Sequence, residues 1–342
     1  MPKVQAETLR ALGRALLVAN GVPEAEAATV ARHVVNANLA GHDSHGIIML
    51  PNYIERVKAG HIVPGAPFTI VQESPTTTVV DGNWGFGYVI NERAMQLTID
   101  KAEKQNIAAT TVFRQGHVGR LASYPLIAAK AGMIGMAWAD SGRSPKGVAP
   151  FGGRAARLGT NPWAIAVPSD LDGPFCMDFA TSAVAMGKVK LAEARGQEIP
   201  RGWVVDSEGE LTTDPKKLAG GALLPLGGPG EGYKGTALAA MGEVFCGILT
   251  GLGFGVEPSG RHNDGCFLIA IKVEAFRQEV ADFAHYLKDT PPAKGSDGVL
   301  YPGEVEHRAE QRRSAEGIEI EAATWAKLTA LAEAGGVTMP AV

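Results

Sequence analysis

The feature that most restricts the fold of this chain is a change of hydrophobic period near Phe68. Before this point, apolar residues recur at helical spacing in stretches that end at about residue 58. Beyond it, short β-rich runs such as Ile107 to Phe113 and Met133 to Ala139 alternate with amphipathic helical stretches. Because alternating strands and helices favour a sheet covered by helices, we predict an α/β fold.

The two ends of the chain differ in pattern from its middle. From Pro291 the sequence is rich in Pro and Gly and then charged, and a last helix is predicted near Ala322 to Glu333. We therefore predict a helical lobe of residues 1–66, completed by about 290–342. Residues 67–289 are predicted to form the central α/β domain.

Charge and cysteine content narrow the class of protein. The 342 residues include 32 basic and 36 acidic ones, for a formal net charge of −4, so no nucleic-acid partner is predicted. Three cysteines form no CxxC pair, and with no secretory signal they indicate a reducing, cytoplasmic location without a thiolate metal site. The most apolar stretch, Thr236 to Gly255, carries Glu243 and several glycines, so we predict a buried helix and no membrane span.

The densest cluster of reactive side chains is the run Gly41-His42-Asp43-Ser44-His45-Gly46. An imidazole exchanges a proton near neutral pH, which suits the interconversion of a carbonyl and an alcohol. The alternative interpretation is a polar turn that caps the next helix through Asp43 or Ser44. The side chains of the neighbours Ser44 and His45 are expected to diverge, so a hydrolase-type Ser–His pair is not predicted.

Three further clusters lie where predicted strands end or predicted helices begin, and backbone N–H groups at such places can bind anions. The run from Arg114 to Arg120 adds a fixed positive charge, the run from Asp178 to Ser182 places an acid at a strand end, and Lys234 opens a helix. Their plainer interpretations are a strand–helix turn, a helix cap and a solvated lysine. No GxGxxG motif follows a strand with an acid downstream, so a Rossmann cofactor site is not predicted.

Taken in order, these motifs resemble the malate/L-lactate dehydrogenase family, also called sulfolactate-dehydrogenase-like, and most of all its hydroxycarboxylate dehydrogenase B branch. The likeness runs through nearly the whole chain. Its motifs are His42-Asp43-Ser44-His45-Gly46, Gly116-His117-Val118-Gly119-Arg120, Arg157-Leu158-Gly159-Thr160-Asn161-Pro162, Asp178 to Ser182, Tyr233-Lys234-Gly235 and Pro302-Gly303-Glu304. The resemblance implies the family's own α/β fold, which is distinct from the Rossmann fold.

The resemblance also implies an activity and a role for individual residues. It implies a homodimeric dehydrogenase that interconverts small 2-oxo and 2-hydroxy acids with NAD or NADP. His45 would be the acid/base, and Ser44 and Asp178 would position or tune it. The cofactor would be lined by His117, Gly119, Arg120, Leu121, Thr160, Asp178, Phe179, Ala180, Thr181, Ser182, Lys234, Pro302, Gly303, Glu304 and Val305.

One position departs from the pattern of many family members. Met49 stands where they carry an Arg, whose guanidinium is suited to clamp a carboxylate. The loss of this Arg points to another anion anchor, Arg143, Arg120 or Lys146, or to a bulkier apolar substrate. The substrate residues implied are Met49, Thr160 and Arg143.

Three other functions stay open at this stage. An NADPH-dependent reductase of cyclic imino acids, such as piperideine- or pyrroline-2-carboxylate, would use the same scaffold and the same hydride step. A non-catalytic ligand-binding relative would bind a cofactor without turning over an acid. A metal hydrolase could use His42 and His45 as ligands, although the sequence offers no complete ligand set.

Overall fold

The computed structural model describes residues 1–140, 146–256, 261, 263–274 and 276–341. The α-helices in this part of the chain are α1 (Ala6–Ala19), α2 (Glu24–Leu39), α3 (Leu50–Lys58), α4 (Gly87–Gln105), α5 (Pro125–Lys130), α6 (Met186–Ala194), α7 (Gly228–Glu243), α8 (Arg277–Lys288), α9 (Glu304–Glu316) and α10 (Ala322–Gly335). The strands are β1 (Lys3–Val4), β2 (Thr69–Glu73), β3 (Thr77–Gly85), β4 (Ile107–Gln115), β5 (Met133–Asp140), β6 (Trp163–Val167), β7 (Phe175–Phe179), β8 (Val204–Val205), β9 (Leu211–Thr212), β10 (Ala222–Leu223), β11 (Gly265–Lys272) and β12 (Ile318–Glu319).

The main sheet contains seven strands in the order β2-β3-β4-β11-β5-β6-β7. β3 and β4 run parallel, whereas the other neighbouring pairs in the sheet are antiparallel. Helices α4 and α5 pack on the sheet through a core of small and apolar side chains that includes Ala94, Met95, Ala128 and Leu268. The predicted α/β fold is therefore confirmed.

The position of β11 determines which residues meet at one edge of the main sheet. Although it is the last strand of the sheet along the chain, it lies between β4 and β5 and runs antiparallel to both. The start of β11 therefore meets the carboxyl ends of the other two strands: Gly265 is opposite Asp140, and Cys266 is opposite Val112. Residues that end β4 and β5 and residues that precede β11 come together at this edge of the sheet.

The N-terminal helices and the C-terminal segment share one hydrophobic core. Leu9 and Leu16 of α1 belong to the same buried cluster as Leu328 and Ala332 of α10. β1 also pairs with β12, with Lys3 opposite Glu319. This packing agrees with a helical lobe completed by the C-terminal segment, although the domain boundaries given above stay a prediction.

A smaller unit beside the sheet had no counterpart among the predicted elements. β8, β9 and β10 form a three-stranded sheet, and a separate core joins them to α6 through Val189, Val204 and Leu223. The strands are only two residues long, so each is too short to give a readable alternation of apolar and polar residues.

Two predictions about helices need correction. The motif around Lys234 does not open its helix, because α7 begins at Gly228 with Pro229 in its first turn. The apolar stretch 236–255 is not fully buried, since Leu249 is 58% and Phe254 is 74% exposed. Ala239 and Cys246 of the same stretch are fully buried, so only part of it belongs to the interior. Among the described residues, no helix has the length and apolarity needed to cross a membrane.

Candidate active site

A cavity of about 150 Å³ lies where β4 and β5 end and β11 begins. His45 reaches it from the N-terminal helical region, and the other lining residues come from the central sheet and its loops. The cavity is lined by His45, His117, Val118, Gly119, Ala139, Asp140, Thr160, Pro162 and Asp264. Pockets that enclose a whole drug-sized ligand are roughly 300–1,000 Å³, so this space fits the reacting end of a ligand.

His45 is held by its sequence neighbour. Residues Asp43–His45 form a short 3₁₀ turn, in which the Ser44 Oγ lies 3.0 Å from the His45 Nδ1. The expectation that these two side chains diverge was wrong, because the tight turn brings them within hydrogen-bond distance. With Nδ1 engaged, Nε2 is the nitrogen of His45 that remains for a ligand.

The surroundings of His45 keep its ring uncharged. Desolvation lowers the pKa of His45 to about 4, and the positive charges of His42 and Arg120 act in the same direction. A pKa near 4 leaves the imidazole neutral at neutral pH. A neutral imidazole has one donor nitrogen and one acceptor nitrogen, so its acceptor nitrogen can take a proton from a ligand.

His117 stands beside His45 and is supported by two buried tyrosines. The two imidazole rings are stacked, with their centroids 5.7 Å apart. The Tyr53 hydroxyl lies 2.7 Å from the His117 Nδ1 and 3.0 Å from the Tyr88 hydroxyl. Burial raises the pKa of both tyrosines, so these hydroxyls stay protonated and fix the orientation of the His117 ring.

Two buried carboxylates of the cavity were missed by the sequence analysis. Asp264 accepts a hydrogen bond from the Val118 N–H at 3.1 Å, and Asp140 accepts one from the Gly265 N–H at 3.3 Å. Burial raises the pKa of Asp264, while the nearby charge of His117 opposes this effect. An acid at a strand end drew attention to Asp178, and the same signal was present here, since Asp140 ends β5 and Asp264 precedes β11.

Asp178 has a different partner from the one expected. Its carboxylate accepts a hydrogen bond from the Ala122 N–H at 3.0 Å and lies 3.8 Å from the Arg120 Nε. Within the described part of the chain no hydrogen bond joins Asp178 to His45. The N–H groups of the short helix Leu121–Ser123 attract this carboxylate instead. Burial raises the pKa of Asp178, and the Arg120 charge lowers it.

Arg120 is a buried cation near the cavity. Its side chain is only 10% exposed, and among the described residues its Nε has no hydrogen-bond partner and lies 3.8 Å from the Asp178 carboxylate. A buried guanidinium N–H without a partner is costly, so a phosphate or carboxylate group would stabilise it. Beside it, Gly119 has a φ of 67°, and a Cβ there would meet the Tyr88 ring. The Arg120 guanidinium beside Gly119 therefore fits a bound anionic group.

The other predicted anchors for a substrate carboxylate are occupied or outside the description. The Lys146 Nζ lies 2.8 Å from the Glu243 Oε1, and both side chains are buried. Met49 is partly buried and packs against the core of the N-terminal helices. Arg143 falls outside the described residues.

The predicted cofactor residues around β7 serve the backbone in this structure. The Thr160 carbonyl oxygen accepts hydrogen bonds from both the N–H and the hydroxyl of Thr181, at 2.8 and 3.0 Å. Ser182 donates to the Val184 carbonyl oxygen at 2.8 Å, and Leu121 is buried in the core of the sheet. These contacts shape the wall of the cavity. Phe179 ends β7 and Ala180 follows it, and neither is among the residues that line the cavity.

The remaining predicted cofactor residues lie away from the cavity. The Pro302 carbonyl oxygen accepts a hydrogen bond from the Cys176 N–H at 2.9 Å, and Gly303 and Glu304 continue from there into α9. Val305 is 58% exposed, and the Lys234 side chain is 62% exposed and paired with Glu231. The structure brings together His45, His117, Gly119 and Thr160, but it does not bring Lys234 or Val305 to them.

Comparisons with known proteins identify the family to which this chain is similar. Residues 4–329 match the family model for malate/L-lactate dehydrogenase. The chain is 34% identical to an L-lactate dehydrogenase of Cupriavidus necator, with 99% of each chain covered. It is also 34% identical to hydroxycarboxylate dehydrogenase B of Escherichia coli, with 94% of this chain and 91% of the relative covered.

Solved structures give the same result for the fold. A malate dehydrogenase of Entamoeba histolytica superposes with a TM-score of 0.94 at 32% identity, with 99% of each chain covered. A delta1-piperideine-2-carboxylate reductase of Pseudomonas syringae superposes with a TM-score of 0.85 at 29% identity, with 97% of this chain and all of that chain covered.

These matches define the protein first as an oxidoreductase of the dehydrogenase class. The chain belongs to the malate/L-lactate dehydrogenase family. The family and the non-Rossmann α/β fold predicted from the motifs are both confirmed, and hydroxycarboxylate dehydrogenase B is among the relatives. Dehydrogenases of this family generally use a nicotinamide cofactor.

Proposed function

We propose that this chain interconverts small 2-oxo acids and 2-hydroxy acids with NAD(P)H, and that His45 is the acid/base. The observation that carries this proposal is the position of His45 at the cavity, with its Nδ1 held by Ser44. The names of the relatives support the substrate class, since they include an L-lactate dehydrogenase and a malate dehydrogenase.

The hydrogen bond between Ser44 and His45 suits both directions of the reaction. When Ser44 accepts from the Nδ1–H group, Nε2 is unprotonated and can take a proton from the alcohol as the 2-hydroxy acid is oxidised. In the direction of reduction, the protonated ring gives the Nε2 proton to the oxygen that becomes an alcohol and returns to its neutral form, with Nδ1–H still bonded to Ser44. His45 thus exchanges a single proton at Nε2 in both directions.

A bound nicotinamide supplies the hydride. Arg120 and Gly119 are the residues that we propose to hold an anionic part of the ligands, because the Ala122 N–H is already bonded to Asp178. Thr160, His117 and residues 178–182 would complete the wall around the reacting groups. For Lys234 and Pro302 to Val305, the proposed role in cofactor binding rests on the resemblance alone.

The side chain at position 49 bears on the choice of acid. Met49 offers no charge, so Arg120 is the cation we propose for the substrate carboxylate if it is not engaged by a cofactor phosphate. Met49 would contact an apolar part of the substrate. We therefore expect 2-oxo acids with an apolar side chain to be better substrates than dicarboxylic ones.

A second candidate function is the reduction of a cyclic imino acid with NADPH. The reductase of Pseudomonas syringae favours it, because that protein has the same fold as this chain. The hydride step would be the same, but the acceptor would be a C=N bond, and no oxygen would need a proton from His45.

We also propose that the protein is a homodimer. Ile248, Leu249 and Phe254 expose 47%, 58% and 74% of their surfaces, and apolar side chains exposed together often mark a protein–protein contact. The cytoplasmic location inferred from the cysteines stays a prediction.

The test is the loss of absorbance of reduced nicotinamide with NADH and NADPH in turn. The panel contains pyruvate, a longer apolar 2-oxo acid, oxaloacetate and piperideine-2-carboxylate. We expect turnover with at least one oxo acid and a preference for one cofactor. Turnover with the imine alone would replace the first proposal by the second. No turnover with any of these acceptors, in a folded protein that binds the cofactor, would contradict both.

A further inference from the structure

Helix α9 contacts the turn that carries His45, although the two are far apart along the chain. The Arg313 Nη1 donates to the Asp43 Oδ1 at 2.6 Å, and the Arg313 Nη2 donates to the Asp43 Oδ2 at 2.9 Å. Arg313 also donates to the Asn38 carbonyl oxygen at the end of α2. A two-pronged bond of this kind fixes direction as well as distance.

The same turn is held from its other side by α2. The Asn38 Nδ2 donates to the Asp43 Oδ1 at 2.6 Å, and the Asn38 Oδ1 accepts from the Ile47 N–H at 2.8 Å. The backbone at Gly46 passes so close to Asn38 that a Cβ there would lie 2.3 Å from its amide. Asn38 therefore links Asp43, at the start of the turn, to Ile47, which follows the turn.

A third contact reaches the residue just before the turn. The His42 Nε2 lies 3.3 Å from the Glu306 Oε1 in the first turns of α9. Both ends of α9 thus touch the His45 loop, by which we mean residues 42–47. Ser44 and His45 lie between the anchored positions, and among the described residues neither forms a hydrogen bond to α9.

We propose that Arg313 is a positioning residue for His45, and that α9 sets the geometry of the proton transfer through Arg313 and Asp43. This inference rests on the proposed function, in which His45 is the acid/base. Removing the Arg313–Asp43 contact would let the His45 loop shift without touching the ring or its Ser44 partner. A displacement of about 1 Å at a reacting group can slow an enzyme by about a hundredfold.

The exposure of the pair separates this role from a merely stabilising one. The Asp43 side chain is 51% exposed and that of Arg313 is 21% exposed. Partly exposed ion pairs contribute little to folding. We therefore expect the loss of this contact to change turnover far more than thermal stability.

The experiment compares Arg313→Gln, Asp43→Asn and the double variant with the wild type, using the acid found by the panel. Arg312→Gln is the matched control, because this neighbouring arginine is exposed and lies outside the contact with Asp43. His45→Gln is the reference that tests the proposed function separately. Each variant is measured for kcat, KM, cofactor Kd from nicotinamide fluorescence, and melting temperature.

We expect Arg313→Gln and Asp43→Asn each to lower kcat about tenfold to a hundredfold, with KM and cofactor Kd changed by less than about threefold. The double variant should be no slower than the slower single variant, because both substitutions break one contact. Arg313→Lys should recover part of the loss, and Arg312→Gln should match the wild type.

A wild-type kcat in Arg313→Gln, while His45→Gln is inactive, would overturn the positioning role and leave the proposed function standing. An active His45→Gln would remove the proposed function instead. If Arg313→Gln does not fold, Asp43→Asn decides the matter, since it removes the charge and keeps the size of the side chain. Failure of both to fold would show that the contact is structural, which also overturns the proposal.

Discussion

The two sides of the cavity differ in how far the chain has already arranged them. On the proton side, His45 and His117 each have a hydrogen-bond partner, and the His45 loop is tied to α2 and α9. Around Arg120, which we propose to bind anionic groups, the Arg120 Nε has no hydrogen-bond partner among the described residues, and Lys234 is mostly exposed. In our proposal the groups for proton transfer are therefore pre-organised within the chain, whereas the binding of anionic groups depends on the ligand to complete it.

The largest effect should follow from replacing His45. His45→Gln keeps a polar side chain but removes the exchangeable proton, so kcat should fall by about 10²- to 10⁴-fold with cofactor Kd nearly unchanged. Steady-state kinetics and fluorescence titration give the two numbers. His285→Gln, at an exposed histidine on α8, is the control and should have wild-type kinetics.

At Arg120 we expect a large effect on ligand affinity rather than on kcat. Arg120→Gln removes the cation whose Nε lacks a hydrogen-bond partner, so ligand affinity should fall about tenfold to a hundredfold, and kcat at saturation should change less. A rise in cofactor Kd would assign Arg120 to a phosphate, whereas a rise in KM for the acid alone would assign it to the carboxylate. Arg154→Gln, at an exposed arginine, serves as the control. Unchanged values for both ligands would remove Arg120 from the binding site.

A smaller effect is expected at Lys234, the most exposed of the predicted binding residues with a charge. Because it is paired with Glu231 at the surface, Lys234→Gln should raise cofactor Kd by less than about fivefold. The same fluorescence titration measures it. A rise of more than about tenfold would show that the part of α7 around Lys234 contacts the cofactor, and the contrast between the two sides would then need revision.

The smallest effect concerns pH. The pKa of His45 is lowered to about 4, below the ordinary value of 6.5, so the neutral form prevails above about pH 5. Oxidation of the 2-hydroxy acid needs this neutral form, and its kcat/KM should therefore be flat between about pH 5.5 and 8 and decline only toward more acidic pH. Initial rates across this range check the prediction. The prediction would be contradicted if kcat/KM of the wild type fell to half its maximum near pH 6.5, and if the residual kcat/KM of His45→Gln showed no such pH dependence.

Much of the fold followed from the sequence because most of its elements are long and regular. β4, β5 and α10 each show a regular apolar pattern, and their predicted and observed limits agree closely. The position of β11 could not be predicted in this way, since periodicity identifies a strand but not its neighbours. Because the neighbours of β11 could not be predicted, Asp264, which precedes β11, was not recognised as a partner of the residues around His117.

The candidate site was predicted in part. His45, Gly119 and Thr160, which were singled out from separate motifs, line the same cavity. The hydrogen bonds between Arg313 and Asp43 join residues 270 positions apart, and no local sequence pattern predicts such a contact. The burial of Asp178 beside Arg120 likewise depends on tertiary packing that the sequence does not display.

In the proposed reaction, hydride passes from the nicotinamide to C2 of a 2-oxo acid. This transfer is measured with reduced cofactor that carries two deuterium atoms at C4 and with the preferred acid from the panel, and proton NMR locates the label in the product. We expect one deuterium at C2 of the 2-hydroxy acid and none released into water. A product whose C2 hydrogen comes from the solvent would contradict the proposed reaction.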